Sequence, residues 1–340
     1  MKKYLINSFY FQKELFEKYL SQYFDFTFSP GFEKKHLRAR FYVPLNIFYI
    51  FFLYISRAIR KYDIIHFNRP EAFFFFQPIP NQISIFEIHG FDIGVLGGEY
   101  LKDLDSKFKR FFGIWLDRMI KKRIIANIKK VDLFYCSTPD LVEPIFSWCG
   151  RKPIWLPNPI DFSLFSPEGL VEKLVGFPAC FLAARLHGDK SPQVAIDIFN
   201  NVVKPLFPMA TLHLLDNGEL ANYYKRRLVD NKTYFWYKYM DKASLAAKIR
   251  GADLVFGDFN IGALSMLPIQ VMGLRKAIIT LDRYEIIKKE IFELPTLTKQ
   301  LLIDVNFRKN FIEKNYNYVL STHDPQTVAL KHYENLKKLF

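Results

Sequence analysis

Cysteine is scarce in this chain. Cys136, Cys149 and Cys180 are the only three among 340 residues. Their number is odd and no spacing repeats, so neither a disulfide framework nor a cysteine-bound zinc site is expected. Cys136 and Cys180 lie in apolar, strand-like runs and read as reduced core residues. Long hydrophobic runs are missing as well. The longest, Phe41 to Ile55, contains Pro44 and Asn46 and falls short of the ~20 residues a membrane span requires. Lys2 and Lys3 open the chain, but Gln12, Lys13 and Glu14 break any signal-like apolar run. The expected location is therefore cytoplasmic, at most peripheral on the inner face of a membrane. Acidic residues are in deficit, 34 against 48 basic ones, for a net charge of +14. Such a balance favours anionic partners: nucleic acid, an anionic lipid surface, or nucleotide and phosphate substrates. A short-period repeat and a low-complexity tail are also absent.

Half of the residues are hydrophobic, and the length suffices for two domains with real cores. Strand-like and helix-like segments alternate in two series. The first holds strands at Tyr4–Asn7, Phe26–Phe28, Tyr62–Phe67, Ile83–His89, Val131–Ser137 and Pro153–Leu156. Between them lie helices at Gln12–Phe24 and Leu45–Ile59, and a long basic one from Ser106 to Lys130. The second series begins at Ala179–Ala184. It continues through a helix from Pro192 to Leu206 and strands at Ala210–Leu215 and Thr233–Tyr237. The chain is expected to be helical from Glu285 onward, with a break at Ser321–Pro325. Such alternation predicts two α/β domains with parallel sheets. Proline and aspartate between Pro157 and Pro167 mark the boundary. The expected domains are residues 1–158 and 159–320, with a closing helix over 321–340.

Within the second series, Ala252 to Thr280 reads as strand, small-residue loop, short helix, strand. Gly262, Ala263 and Ser265 sit where the chain must turn, and Pro268 suits a first helical turn. Backbone N–H groups and the positive end of a helix dipole offer such a loop to a phosphate. An ordinary turn with nothing bound is the plain alternative. Arg185 and Lys190 follow a buried strand, at the sheet edge where α/β proteins bind ligands. Two cations there can stabilise a leaving diphosphate; solvated loop charges are the alternative. Asp103 and Asp105 form a D-x-D that could hold a divalent cation. They also open a long helix, where acids suit the dipole, and no metal site is assigned. Residues 106–130 interleave Lys107, Arg110, Arg118, Lys122 and Lys130 with Phe111, Trp115 and Ile120. That pattern fits either a helix docked on anionic lipid or a solvated face above a core face. No nucleic-acid-reading module is recognised.

Several segments, taken in order, resemble GT-B glycosyltransferases, most of all glycosyltransferase family 4. Tyr62-Asp-Ile-Ile-His66 resembles that family's "pDviH" strand, and Glu87-Ile-His-Gly-Phe-Asp92 its "t-x-HG-x-D" segment. Val131-Asp-Leu-Phe-Tyr-Cys-Ser137 is similar to "aDxviavS", and Trp155-Leu-Pro-Asn-Pro-Ile-Asp161 to "viPNGvD". Ala184-Arg-Leu-His-Gly-Asp-Lys190 resembles "GRLxxxKG", Leu212 to Gly218 "LxixGxG", and Thr322 to Tyr333 the closing helix. The resemblance spans nearly the whole chain. It implies two Rossmann-like domains facing across a cleft, with the last helix crossing back to the first. It also implies a retaining, metal-independent transfer with no cofactor. The nucleotide-sugar would sit on the second domain and a glycan or lipid-linked acceptor on the first. Arg185 and Lys190 then match the residues that hold the donor diphosphate, and His89 the one that faces the transferred sugar. Asp216, Gly218, Gly262, Ala263, Leu264 and Gln270 fall at donor-binding positions, and Asp92 and Asn158 at acceptor or cleft positions. His66 ends a strand and reads as structural.

Departures from the family pattern concentrate in the 252–280 stretch. The E-x7-E signature places its glutamates at positions that here are Gly262 and Gln270. Gln270 retains hydrogen-bonding capacity without charge; Gly262 retains only backbone. Asn7-Ser8-Phe9-Tyr10 stands where a glycine-rich loop is usual. Two readings follow: a divergent glycosyltransferase, or a non-catalytic GT-B protein that binds a nucleotide-sugar or glycan.

Overall fold

The computed structural model describes residues 1–7, 17–28, 58–68, 76–89, 122–260 and 262–340. Those residues form two compact units, Met1–Pro157 with Gln326–Phe340, and Asn158–Pro325. The first unit holds β1 (Lys2–Asn7), β2 (Phe24–Phe28), β3 (Ile64–Phe67), β4 (Ile83–Ile88), β5 (Leu133–Cys136) and β6 (Ile154–Trp155) in the order β2-β1-β3-β4-β5-β6. The second holds β7 (Ala179–Leu182), β8 (Thr211–Asp216), β9 (Tyr234–Lys238), β10 (Leu254–Phe256) and β11 (Ile278–Ile279) in the order β11-β10-β7-β8-β9. Every pairing is parallel. The composition explains why. Strands β3, β5, β7 and β10 are buried at every residue, as a parallel sheet covered on both faces demands.

A single device sets the register in both sheets. The aspartates of Tyr62-Asp63, Val131-Asp132 and Ala252-Asp253 each stand just before a strand. Asp63 accepts the Lys3 N–H at 2.7 Å, Asp132 the Ser84 N–H at 2.7 Å, and Asp253 the Ala179 N–H at 2.8 Å. Each returns its own backbone N–H to the carbonyl of the same residue, at 2.8, 3.0 and 2.9 Å. Two bonds thus clamp the start of a parallel pair, and a one-residue slip would break both. The "D" in these segments is therefore a mark of the fold.

In the first unit the strands alternate between two faces. One presents Leu5, Ile65, Phe67, Phe86, Ile88 and Phe134 to a core that includes Ile124, Ile128 and Ile145. The other presents Tyr4, Ile6, Ile64, Ile85 and Tyr135 to Val328, Ala329 and Leu336 of the helix Pro325–Lys337. The last helix thus packs on the first sheet, as the resemblance implied, and Tyr333 stacks on Tyr23 at 4.1 Å. Residues 122–128 are helical, with Ile124 and Ile128 buried and Lys122 and Arg123 exposed.

Several expectations fall outside the described residues: 12–16 of the first helix, the helix from Leu45 to Arg57, Gly90, Asp92, Asp103, Asp105 and 106–121. One is corrected. Helix does not resume at Glu285; it resumes with a short turn at Ile291–Glu293 and the helix Leu294–Ile303. The buried Asp282 carboxylate accepts the N–H groups of Tyr284 and Glu285 on one oxygen and of Ile286 and Ile287 on the other, at 2.8–3.1 Å. Amides held this way cannot enter a helical ladder.

The aspartate clamp makes a direct prediction. Asp253→Ala removes one bond and strands the Ala179 N–H, at a cost of about 1–2 kcal/mol. Urea unfolding of the variant should show a lower midpoint; an unchanged midpoint would remove the clamp's energetic role.

Candidate functional site

The carboxyl edge of the second sheet gathers three loops. After β7 the chain passes Ala183 and Ala184, both buried, and emerges at Arg185, which is exposed. After β8 it turns at Asp216–Gly218. Backbone bonds lock these two loops together: Leu186 N–H to Asn217 O at 2.8 Å, and Leu220 N–H to Leu186 O at 2.9 Å. Gly218 lies at the closest approach, with φ +121°, and an added Cβ would stand 2.3 Å from the Leu186 carbonyl oxygen. Only glycine meets both conditions. Arg185 has no carboxylate partner among the described residues. Asp216 is engaged by Lys225 at 2.5 Å.

The third loop follows β10. Phe259 N–H bonds the Lys190 carbonyl at 3.1 Å, and Lys190 Nζ lies 3.8 Å from Asp258 Oδ2. The Lys190 side chain keeps 15% exposure, while Asp258 is buried. Burial raises the Asp258 pKa, and the Lys190 ammonium and the Ser265 hydroxyl pull it back. Ser265 Oγ donates to that carboxylate at 2.5 Å. Its hydroxyl therefore does not cap the helix Met266–Gly273, whose N-cap residue it is. The loop between turns at Gly262, φ +77°. Ala263 and Leu264 are buried, and the Leu264 N–H donates to Glu285 Oε1 at 2.9 Å. Leu264's amide is thus committed within the protein. Gln270 lies on the helix, half-buried.

Glu285 is a carboxylate the sequence did not reveal. It enters from beyond β11 and also accepts Tyr318 O–H at 2.6 Å. Burial, then Glu285 itself, pushes the Tyr318 hydroxyl pKa up. His323 Nε2 lies 3.5 Å from the same carboxylate, and its Nδ1 lies 2.7 Å from the Asn158 carbonyl. Asn158 therefore acts through its backbone, where the chain enters the second unit. Asp258 and Glu285 belong to loops after strands, and only their carboxylate chemistry could have flagged them.

His89 belongs to the first unit. It follows β4 with its side chain 18% exposed, and its Nε2 lies 3.4 Å from Glu87 Oε1. Glu87 is fully buried and its other oxygen lies 3.2 Å from His66 Nε2. The described residues thus place Arg185, Lys190, Asp216, Gly218, Gly262, Ala263, Leu264 and Gln270 on the second unit and His89 on the first. Among the described residues no group of three or more His, Cys, Asp and Glu could hold a metal ion.

No protein-family model matches the sequence, and no curated protein matches it at a significant level. Solved structures do match. Sucrose-phosphate synthase from Thermosynechococcus elongatus is 11% identical, with a TM-score of 0.72 over 100% of this chain and 99% of its own. Anabaena HepE in complex with UDP and glucose is 12% identical, with a TM-score of 0.65 over 99% of each chain. TarM from S. aureus is 15% identical, with a TM-score of 0.57 over 80% of this chain and 55% of its own. Two parallel sheets, a last helix returned to the first sheet, and a match over the whole chain to the first two of these proteins define the GT-B fold.

Gly218→Ala would force the Asp216–Gly218 turn away from the Arg185 loop. We expect a loss of about 2 kcal/mol, from a strained φ and a backbone clash. A thermal or urea midpoint equal to that of the parent protein would show that the approach is not tight.

Proposed function

We propose that this protein is a glycosyltransferase of the family 4 type, moving a sugar from a nucleotide-diphosphate-sugar to a glycan or lipid-linked acceptor. The observation that carries this reading is the placing of Arg185 and Lys190 in one loop after β7, with Lys190 at Asp258, the carboxylate that Ser265 at the N-terminus of the helix Met266–Gly273 also contacts. Two cations and a helix dipole suit a diphosphate and stabilise it as a leaving group. HepE, which shares the fold, has been solved with UDP-glucose. The second unit then takes the donor, with Asp216 and Gly218 near the nucleotide, Gly262 to Leu264 and Gln270 near sugar and ribose, and the first unit takes the acceptor. Asp258 keeps Lys190 in place through its buried carboxylate. The transfer proceeds with retention and without a metal, in the assembly of a surface polysaccharide or glycoconjugate.

A second reading, binding without turnover, draws on one fact: Gly262 and Gln270 supply no carboxylate. A panel of UDP- and GDP-sugars separates the two by calorimetry and donor hydrolysis in parallel, with and without EDTA. We expect turnover insensitive to EDTA. Arg185→Ala and Lys190→Ala should each weaken nucleoside diphosphate binding at least about tenfold, or about 1.4 kcal/mol. Normal affinity in both variants would remove the site; binding without hydrolysis or transfer would sink the enzyme.

Among the described residues no helix is long and apolar enough to cross a membrane. We propose that the basic face ending in Lys122, Arg123, Lys129 and Lys130 meets anionic lipid at the inner surface of the membrane. Cosedimentation with phosphatidylserine-containing vesicles should be salt-sensitive; no such binding would exclude the contact.

A further inference from the structure

Strands β10 and β11 run parallel, so the segments that follow them leave the same edge of the second sheet. Two hydrogen bonds fasten these segments together. The Arg283 N–H donates to the Gly262 carbonyl at 2.8 Å, and the Leu264 N–H donates to Glu285 Oε1 at 2.9 Å. The buried Asp282 stiffens the second segment. Its carboxylate accepts the N–H groups of residues 284–287, and its carbonyl accepts the Lys289 N–H at 2.8 Å. Arg283 and Tyr284 therefore project exposed side chains from a fixed backbone, against the turn at Gly262.

Gly262 adopts φ +77°. A Cβ added to it would stand 3.7 Å from both Cδ and Nη1 of Arg283, and 3.9 Å from Tyr284 Cε2. The arginine thus lies along the side of the turn that a longer side chain at 262 would cover, and glycine leaves the guanidinium open. That group carries five N–H donors. Nε spends one on Glu290 Oε2 at 2.9 Å. The four on Nη1 and Nη2 meet no protein acceptor among the described residues. Glu290 also closes a capping box with Glu293, which anchors the carboxylate that orients the fork. The Arg283 side chain is 47% exposed and that of Glu290 44%. An ion pair so exposed contributes little to stability, so the fold itself gives small reason for an arginine here.

We propose that Arg283 is a specificity-determining residue that takes the carboxylate of an acidic sugar, a hexuronic acid carried on the nucleoside diphosphate. The assignment rests on the transferase reading, in which Gly262 stands near the donor sugar while Arg185 and Lys190 hold the diphosphate. The free fork of a guanidinium matches a planar carboxylate with two parallel bonds. Tyr284, 52% exposed, offers its ring beside the same turn to the apolar face of a sugar. The departure from the family pattern then has a physical reason. A glutamate at 262 would occupy the Arg283 fork and repel an acidic sugar, and glycine does neither.

The test is calorimetric titration of the full-length protein with UDP and GDP, with UDP-glucose and GDP-mannose, and with UDP-glucuronic acid and GDP-mannuronic acid. For the base it accepts, the wild-type protein should bind the acidic donor at least about tenfold more tightly than the neutral one. Arg283→Gln should abolish that preference and leave the affinity for the free nucleoside diphosphate unchanged. Equal affinity for the two sugar classes in the wild-type protein, or a preference that survives in Arg283→Gln, overturns the assignment. So does an equal weakening of both donors in the variant, which is what a merely loosened turn would give. A matching loss of nucleoside diphosphate affinity would put the guanidinium on the phosphates and overturn the sugar contact as well. All of these outcomes leave the transferase reading standing. If the wild-type protein binds neither nucleoside diphosphate nor nucleotide-sugar, that reading fails and the assignment falls with it.

Discussion

Buried polar bonds from Tyr4 to His66 and His332 tie the last helix to the first sheet. A polar group in a sheet interior is unstable without partners. Glu87, also fully buried, lies 3.2 Å from His66 Nε2 on the adjacent strand and 3.4 Å from His89 Nε2 just beyond its own. The Tyr4 hydroxyl lies 3.1 Å from His66 Nδ1 and 2.8 Å from His332 Nε2. His332 lies 328 residues along the chain from Tyr4. The last helix is therefore held by buried polar bonds as well as by Val328, Ala329 and Leu336. Apolar packing makes that helix adhere, and the hydrogen bonds fix its rotation and register.

The second unit solves a different problem, the fixing of loops at the edge of its sheet. Its loops are fastened backbone to backbone, Leu186 to Asn217 and Phe259 to Lys190. Side chains then complete the fastening: Asp258 takes Ser265 and draws in Lys190, and Glu285 takes the Leu264 amide. The missing glutamates at Gly262 and Gln270 do not leave this edge without carboxylates. The Asp258 and Glu285 side chains are buried there, and their bonds to Ser265 and to the Leu264 amide shape the loop.

Much of the architecture was legible because parallel strands buried on both faces read as continuous apolar runs. Ile64–Phe67, Leu133–Cys136 and Ala179–Leu182 are such runs. The aspartates at 63 and 132 were visible as motif letters, but their role, and that of Asp253, needed the neighbouring strand to be in place. Helix ends were less legible. Glu285 to Ile287 carries helix-compatible residues, and Asp282 captures those amides instead. At the second sheet's edge, the places of Arg185, Lys190 and Gly218 after their strands were readable. Asp258, Glu285 and Glu87 were not, because a carboxylate in sequence gives no sign of whether it is solvated or buried.

The sequence by itself determined the order of strands and helices, the two-unit plan, the covered parallel sheets and the segments that reach the second sheet's edge. Those follow from periodicity, apolar runs and turn residues, all local properties. Tertiary structure alone decided which charges are paired and which amides are spent. It joined Leu264 to Glu285, left Arg185 exposed, and brought His332 of the last helix to Tyr4 and Tyr135 of the first sheet. Pairing energies depend on distances between residues remote in the chain, and no local pattern carries those distances.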